Sequence, residues 1–156
     1  MNKKKIDIWE NPRDFQINKE NPRATAEYYP NLEVLDSQKS SPWYQSLNGY
    51  WRFKWSKCPD DRPKNFFQAD FDDSNWDWIS VPSQWQLEGY GIPHYVSAGG
   101  VKGMGKKNPP RIDPKYNEVG NYIRRFTIPE EWFNQLVFIH FGGVKTAFYI
   151  WLNGQF

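Results

Sequence analysis

Apolar and polar residues alternate most cleanly at 50–55, where Trp51, Phe53 and Trp55 interleave with Tyr50, Arg52 and Lys54. A period of two predicts a β-strand with one face buried, the tryptophans and Phe53 on one side and Tyr50, Arg52 and Lys54 on the other. A short strand is predicted at 79–81, ended by Pro82, which cannot donate to a ladder. Three more follow. Residues 121–128 alternate, with Tyr122, Arg124, Phe126 and Ile128 on one face. The stretches 136–141 and 147–152 are nearly all apolar, as central strands of a sandwich are. Asn153-Gly154 is then the strongest short signal for a two-residue hairpin turn.

The segments between these runs read differently. Residues 1–45 are polar and broken by Pro12, Pro22, Pro30 and Pro42, which predicts an extended arm lying over a core, with little regular structure. The stretch 60–78 is rich in Asp, Asn and Pro. Its Phe66, Phe67, Phe71, Trp76 and Trp78 predict an anchored meander with room for one short helical turn. Residues 88–118 form a long loop rich in Gly and Pro, a length at which loops are usually functional or disordered.

Composition sharpens this into an all-β reading. Aromatics make up 19% of the chain, 9 Trp, 9 Tyr and 11 Phe, in short runs separated by 12 Pro and 11 Gly. With 156 residues the chain suffices for one domain with a core, not for a sandwich plus a (β/α)₈ barrel of about 250 residues. A formal net charge of +2 argues against nucleic acid and anionic membrane as partners. The run Lys3-Lys4-Lys5 reads as a solvated terminus. No apolar run approaches the roughly 20 residues of a membrane span. The residues after the lysines, Ile6-Asp7-Ile8-Trp9-Glu10-Asn11-Pro12, form no secretory apolar region, so a cytoplasmic location is the expectation. A single cysteine, Cys58, leaves no internal disulfide and no cysteine pair for zinc.

Several motifs, in order along almost the whole chain, resemble the N-terminal sugar-binding domain of family 2 glycoside hydrolases of the bacterial β-galactosidase type. They are Trp9-Glu10-Asn11-Pro12, Ser46-Leu47-Asn48-Gly49-Tyr50-Trp51-Arg52-Phe53, Phe71-Asp72-Asp73-Ser74-Asn75-Trp76, and Val81-Pro82-Ser83-Gln84-Trp85-Gln86-Leu87-Glu88-Gly89-Tyr90-Gly91. Asn108-Pro109-Pro110, Gly120-Asn121-Tyr122-Ile123-Arg124-Arg125-Phe126 and the run from Phe141 to Gly154 complete the series. The resemblance implies a jelly-roll β-sandwich at 46–156, preceded by the arm at 1–45. It also implies that the sandwich is incomplete at its C-terminus, because the chain stops soon after the Asn153-Gly154 turn. On that reading the apolar strand 147–152 has an unpaired edge, and the isolated chain is expected to be insoluble or loosely folded.

The same resemblance implies a parent β-galactosidase that hydrolyses terminal β-D-galactosides such as lactose with retention. It would be a homo-oligomer using Mg²⁺ and Na⁺ that this segment does not bind. Retention requires two carboxylates about 5–5.5 Å apart. In the family both lie on a barrel absent from this chain, so no catalytic residue is expected here. The adjacent acids Asp60-Asp61, Asp72-Asp73 and Glu130-Glu131 read as turn and cap residues on a solvated surface.

The candidate substrate contacts are in the long loop. The family's Pro-x-Tyr-x-Asn pattern, whose Asn meets the galactosyl unit, corresponds here to Pro93-His94-Tyr95-Val96-Ser97. Ser97 stands where the family has Asn; its hydroxyl donates and accepts, with a shorter reach. His94 is a second candidate lining residue. Gly99, Gly100, Gly103 and Gly105 in the basic stretch that follows are no phosphate-binding fingerprint, because no strand–turn–helix frame surrounds them. His140 reads as a mid-strand packing residue. Two alternatives stand beside this reading. One is a free-standing carbohydrate-binding module with an exposed aromatic platform. The other is a relative of the β-glucuronidases or β-mannosidases, which share the jelly-roll domain.

Overall fold

The computed structural model describes residues 8–24, 26–37, 39–93, 111–113 and 117–156. Its regular structure is mainly strand: a three-stranded antiparallel sheet in the order β2-β1-β3, built from β1 (Gly49–Ser56), β2 (Asp77–Val81) and β3 (Val119–Ile123). The all-β reading therefore holds for its ordered centre. Strand β1 covers the predicted 50–55 run, and β2 extends the predicted 79–81 by two residues at its start.

Alternation decides what each face does. On the inner face, register sets Trp51 opposite Ile79, Phe53 opposite both Asp77 and Tyr122, and Trp55 opposite Gly120. Phe53 is 0% exposed, and Ile79 beside it is also fully buried. The Phe53 ring meets Tyr122 at 4.8 Å and Tyr90 at 4.8 Å between centroids, and stacks on Trp85 at 6.2 Å. Such contacts contribute about 0.5–1.5 kcal/mol each beyond burial. On the outer face, Tyr50 and Trp78 are exposed at 67% and 58%. The Arg52 guanidinium lies over the Trp78 ring at 4.1 Å and donates to the Trp76 carbonyl at 2.9 Å.

A second aromatic cluster holds the 60–78 meander. Trp76 is buried against Phe66 at 6.0 Å and Phe71 at 5.6 Å, and Phe67 stacks on Trp151 at 5.3 Å. Four of the five predicted anchors thus converge. Trp78 does not, because it falls in β2 at a position facing away from the core. The expected helical turn is the 3₁₀ turn Pro59–Asp61. Asp73 closes the meander with an ion pair to Arg125 at 2.7 Å.

The largest departure lies after β3. The alternation predicted over 121–128 ends as strand at Ile123. Neither 136–141 nor 147–152 forms a strand, and His140 is exposed rather than mid-strand. Apolar, β-prone side chains favour an extended backbone, but a strand also needs a neighbour for its N–H and C=O groups. The rings here pack on one another and on the meander instead, as in Phe141–Phe148 at 5.1 Å and Trp151–Phe156 at 5.4 Å. The hairpin signal itself is realised. Asn153 and Gly154 take φ of 49° and 81°, and Leu152 and Gln155 exchange hydrogen bonds of 2.8 and 3.0 Å.

The segment expected to be an arm is mostly exposed and carries one short helix, α1 (Leu32–Asp36), capped by the Asn31 side chain accepting from Val34 N–H at 2.9 Å. It is stitched to the body at separated points. Trp9 meets Tyr149 edge-on at 6.4 Å, Asn18 donates to the Phe156 carbonyl at 3.0 Å, and the Trp132 indole donates to the Pro42 carbonyl at 3.1 Å.

Candidate functional site

Strand β2 delivers the chain to the long loop through a compact turn. Pro82 follows its last residue, and Ser83 Oγ donates back to the Ser80 carbonyl at 2.6 Å. The Trp85 carbonyl then accepts from both Glu88 N–H and Tyr90 N–H at 3.0 Å, winding 84–90 into a knot. This brings Trp85 and Tyr90 back over the sheet, where both lie on Phe53. The Tyr90 hydroxyl donates to Asp77 Oδ2 at 2.9 Å. Burial, and next the hydrogen bond to Asp77, raise the Tyr90 pKa above its ordinary value. Burial alone pushes Tyr122 up to about 12.

Gly120 makes the knot possible. It lies on β3 opposite Trp55, directly under Trp85. A Cβ there would enter the Trp85 ring and approach Phe53 to 2.9 Å. The absent side chain is thus the space the indole occupies.

The two stems of the loop meet. Gly91, with φ of +64°, sits against the Glu118 carboxylate, and Glu118 immediately precedes β3. Residues 92–117 therefore leave from and return to one point beside the Phe53 core. Farther along the return limb, Ile112 N–H donates to Glu10 Oε1 at 2.9 Å. The candidate contacts His94 and Ser97 lie outside the described residues. What is described is the base that carries their loop: Phe53, Trp85, Tyr90, Gly91, Glu118 and Gly120. Trp85, Tyr90 and Gly91 of that base fall within the 81–91 motif that carries the family resemblance. The part of Glu10 had no local signal, because its partner is 102 residues away.

The paired acids each have a structural setting. Asp60 and Asp61 lie in the first turn of Pro59–Asp61, and Glu130 and Glu131 in that of the 3₁₀ turn Glu130–Trp132. Asp72 accepts from Ser74 N–H at 2.9 Å, and this bond lowers its pKa. Asp73 holds Arg125. Among the described residues no three His, Cys, Asp or Glu side chains converge on a point where a metal could sit. Among the described residues, too, no helix is long and apolar enough to cross a membrane.

One further surface has the character of a site. Tyr50 and Trp78, adjacent on the outer face, line an open apolar hollow of about 400 Å³. Arg124 donates to the Tyr50 carbonyl at 2.7 Å beside it.

Comparison with known proteins agrees with the motifs. Residues 44–156 match the model of the family described as glycosyl hydrolases family 2, sugar binding domain. The chain is 45% identical over 150 residues, 94% of its length, to the β-galactosidase of Priestia megaterium. It is 38% identical over 156 residues, 99% of its length, to that of Clostridium acetobutylicum. It is 32% identical over 160 residues, 94% of its length, to the β-galactosidase large subunit of Leuconostoc lactis. It spans 14%, 17% and 25% of those three proteins respectively.

Proposed function

This chain belongs to the sugar-binding domains of family 2 glycosyl hydrolases, and from that premise we propose that it serves a β-galactosidase by presenting a sugar-facing loop to a catalytic barrel carried elsewhere in the polypeptide. The observation that carries this role is the base of the loop. Phe53, Trp85 and Gly120 lock the outgoing stem onto the sheet, and Gly91 and Glu118 bring the stems together. A base built this way fixes where the loop leaves and rejoins the sheet, and substrate positioning starts from such fixed points. The β-galactosidase relatives support the substrate class, a terminal β-D-galactoside such as lactose.

Within this reading the domain is a jelly-roll sandwich at 46–156, to which β1–β3 contribute one sheet, preceded by the arm at 1–45. His94 and Ser97 line the galactosyl subsite. The two catalytic carboxylates and the magnesium and sodium sites belong to the rest of a cytoplasmic, homo-oligomeric enzyme. The test is hydrolysis by the full-length protein. A nitrophenyl β-galactoside is turned over well ahead of the β-glucuronide and β-mannoside, and Ser97→Ala raises KM about three- to tenfold, the loss of one polar contact. Preference for the glucuronide or the mannoside sinks the substrate assignment.

The Tyr50–Trp78 hollow favours a second reading, a carbohydrate-binding module acting without a barrel. Micromolar binding of the isolated chain on a glycan array, abolished by Trp78→Ala, would select it over the first.

A further inference from the structure

The arm meets the return limb of the loop where Ile112 N–H donates to Glu10, and that contact is built from both sides. Residues Ile8–Glu10 form a 3₁₀ turn, closed when Asn11 N–H donates to the Ile8 carbonyl at 3.0 Å. Asn11 Nδ2 donates to Asp14 Oδ2 at 2.6 Å, and Arg13 N–H donates to Asn11 Oδ1 at 3.2 Å. The turn therefore has its own internal order. Trp9 pins it to the body: its ring meets Tyr149 edge-on, and the Arg62 guanidinium lies over it at 5.8 Å. Glu10, the next residue, sends its carboxylate to the return limb of the loop and accepts from Ile112 N–H at 2.9 Å. A backbone N–H donating to a carboxylate is a charge-assisted bond, stronger than one between neutral groups.

We propose that Glu10 is a positioning residue for the sugar-facing loop, a latch through which the N-terminal arm sets where the return limb lies and hence how tightly the galactoside is held. The inference rests on reading that loop as sugar-facing. The geometry supplies the coupling. The stems are already closed at Gly91 and Glu118, next to the sheet. Ile112 lies six residues before Glu118 in the chain. The Glu10 bond adds a second fixed point to that at the stems, and pre-ordering a binding loop lowers the entropy lost when ligand binds. Glu10 touches no reacting atom in this scheme, so its effect belongs in KM and leaves kcat within twofold.

The test compares Glu10→Ala, Glu10→Gln and Ser97→Ala in the full-length protein, with amide exchange at Ile112 and steady-state hydrolysis of a nitrophenyl β-galactoside. Glu10→Gln retains a side-chain oxygen that accepts from Ile112. The expected result for Glu10→Ala is Ile112 exchange at least about tenfold faster and KM raised about fivefold at unchanged melting temperature, both largely restored in Glu10→Gln. Unchanged Ile112 exchange in Glu10→Ala overturns the latch. Faster exchange with KM unmoved, while Ser97→Ala raises KM, overturns the positioning role and leaves the galactoside reading standing. A wild-type protein that hydrolyses no β-galactoside defeats the functional reading instead. Ile112 exchange then decides by itself whether Glu10 holds the limb.

Discussion

Phe53 and Leu136 are both large apolar residues in runs that predict strand, yet the first is 0% and the second 88% exposed. The difference lies in their neighbours. Strand β1 is flanked on both sides by partners that satisfy its backbone, and three rings close over its central residue. The 136–152 stretch has the composition of a core strand without a ladder, and among the described residues its order comes from ring contacts. Hydrophobicity brings a segment to a surface; paired backbone groups turn it into a strand.

Four substitutions or titrations test that contrast, from the largest effect to the smallest. Phe53→Ala removes the ring on which Trp85, Tyr90 and Tyr122 rest and lowers unfolding stability by about 3–5 kcal/mol, read from the urea midpoint. A loss below 1 kcal/mol would mean that the core lies elsewhere. Gly120→Ala drives a methyl into Trp85 and costs about 1–3 kcal/mol. It also makes 84–90 easier to cleave in limited proteolysis, whereas a protease-resistant variant would show that the indole can move aside.

Alkaline titration probes the same core. The folded-state pKa of Tyr122, about 12, lies above that of an unfolded tyrosine, near 10. A group raised in this way contributes its stability in full below the unfolded value and loses it as pH rises through the folded one. Stability therefore falls between about pH 10 and 12 by roughly 1–2 kcal/mol, once solvent screening is allowed for. Tyr122→Phe flattens most of that fall; an equally steep fall in the variant assigns it to other groups. Leu136→Ala, at the other pole of the comparison, shifts stability by less than about 0.5 kcal/mol, because the side chain leaves little water on folding. A loss near that of Phe53→Ala would erase the distinction between the two regions.

Some of this was open to reading along the chain. The alternation around Phe53 marked a strand and its buried face correctly. Asn153-Gly154 marked a turn that forms with both residues at positive φ. The Asx turn at Asp72 and the short turn at Pro59–Asp61 also followed from local chemistry. The base of the candidate site was only half legible. Trp85 and Gly91 lie in a family motif, but the stacking of Trp85 on Phe53 and the gap at Gly120 depend on the register between β1 and β3, set across more than 60 residues. Trp78 read as a meander anchor because its neighbours are aromatic; one step along β2 turned it outward. Glu10 gave no sign of its role.

What the sequence by itself determined is local: where backbone prefers to be extended, where it must turn, which alternate side chains are apolar, and to which family the motifs belong. These follow from steric preference and from periods of two, which neighbouring residues impose on one another. Tertiary structure decided which extended segments found partners, which aromatic faces went in or out, and that the arm reaches the loop through Glu10 and Ile112. Those outcomes depend on groups far apart in the chain, and a hydrogen bond or a stacked ring exists only once folding has brought them together.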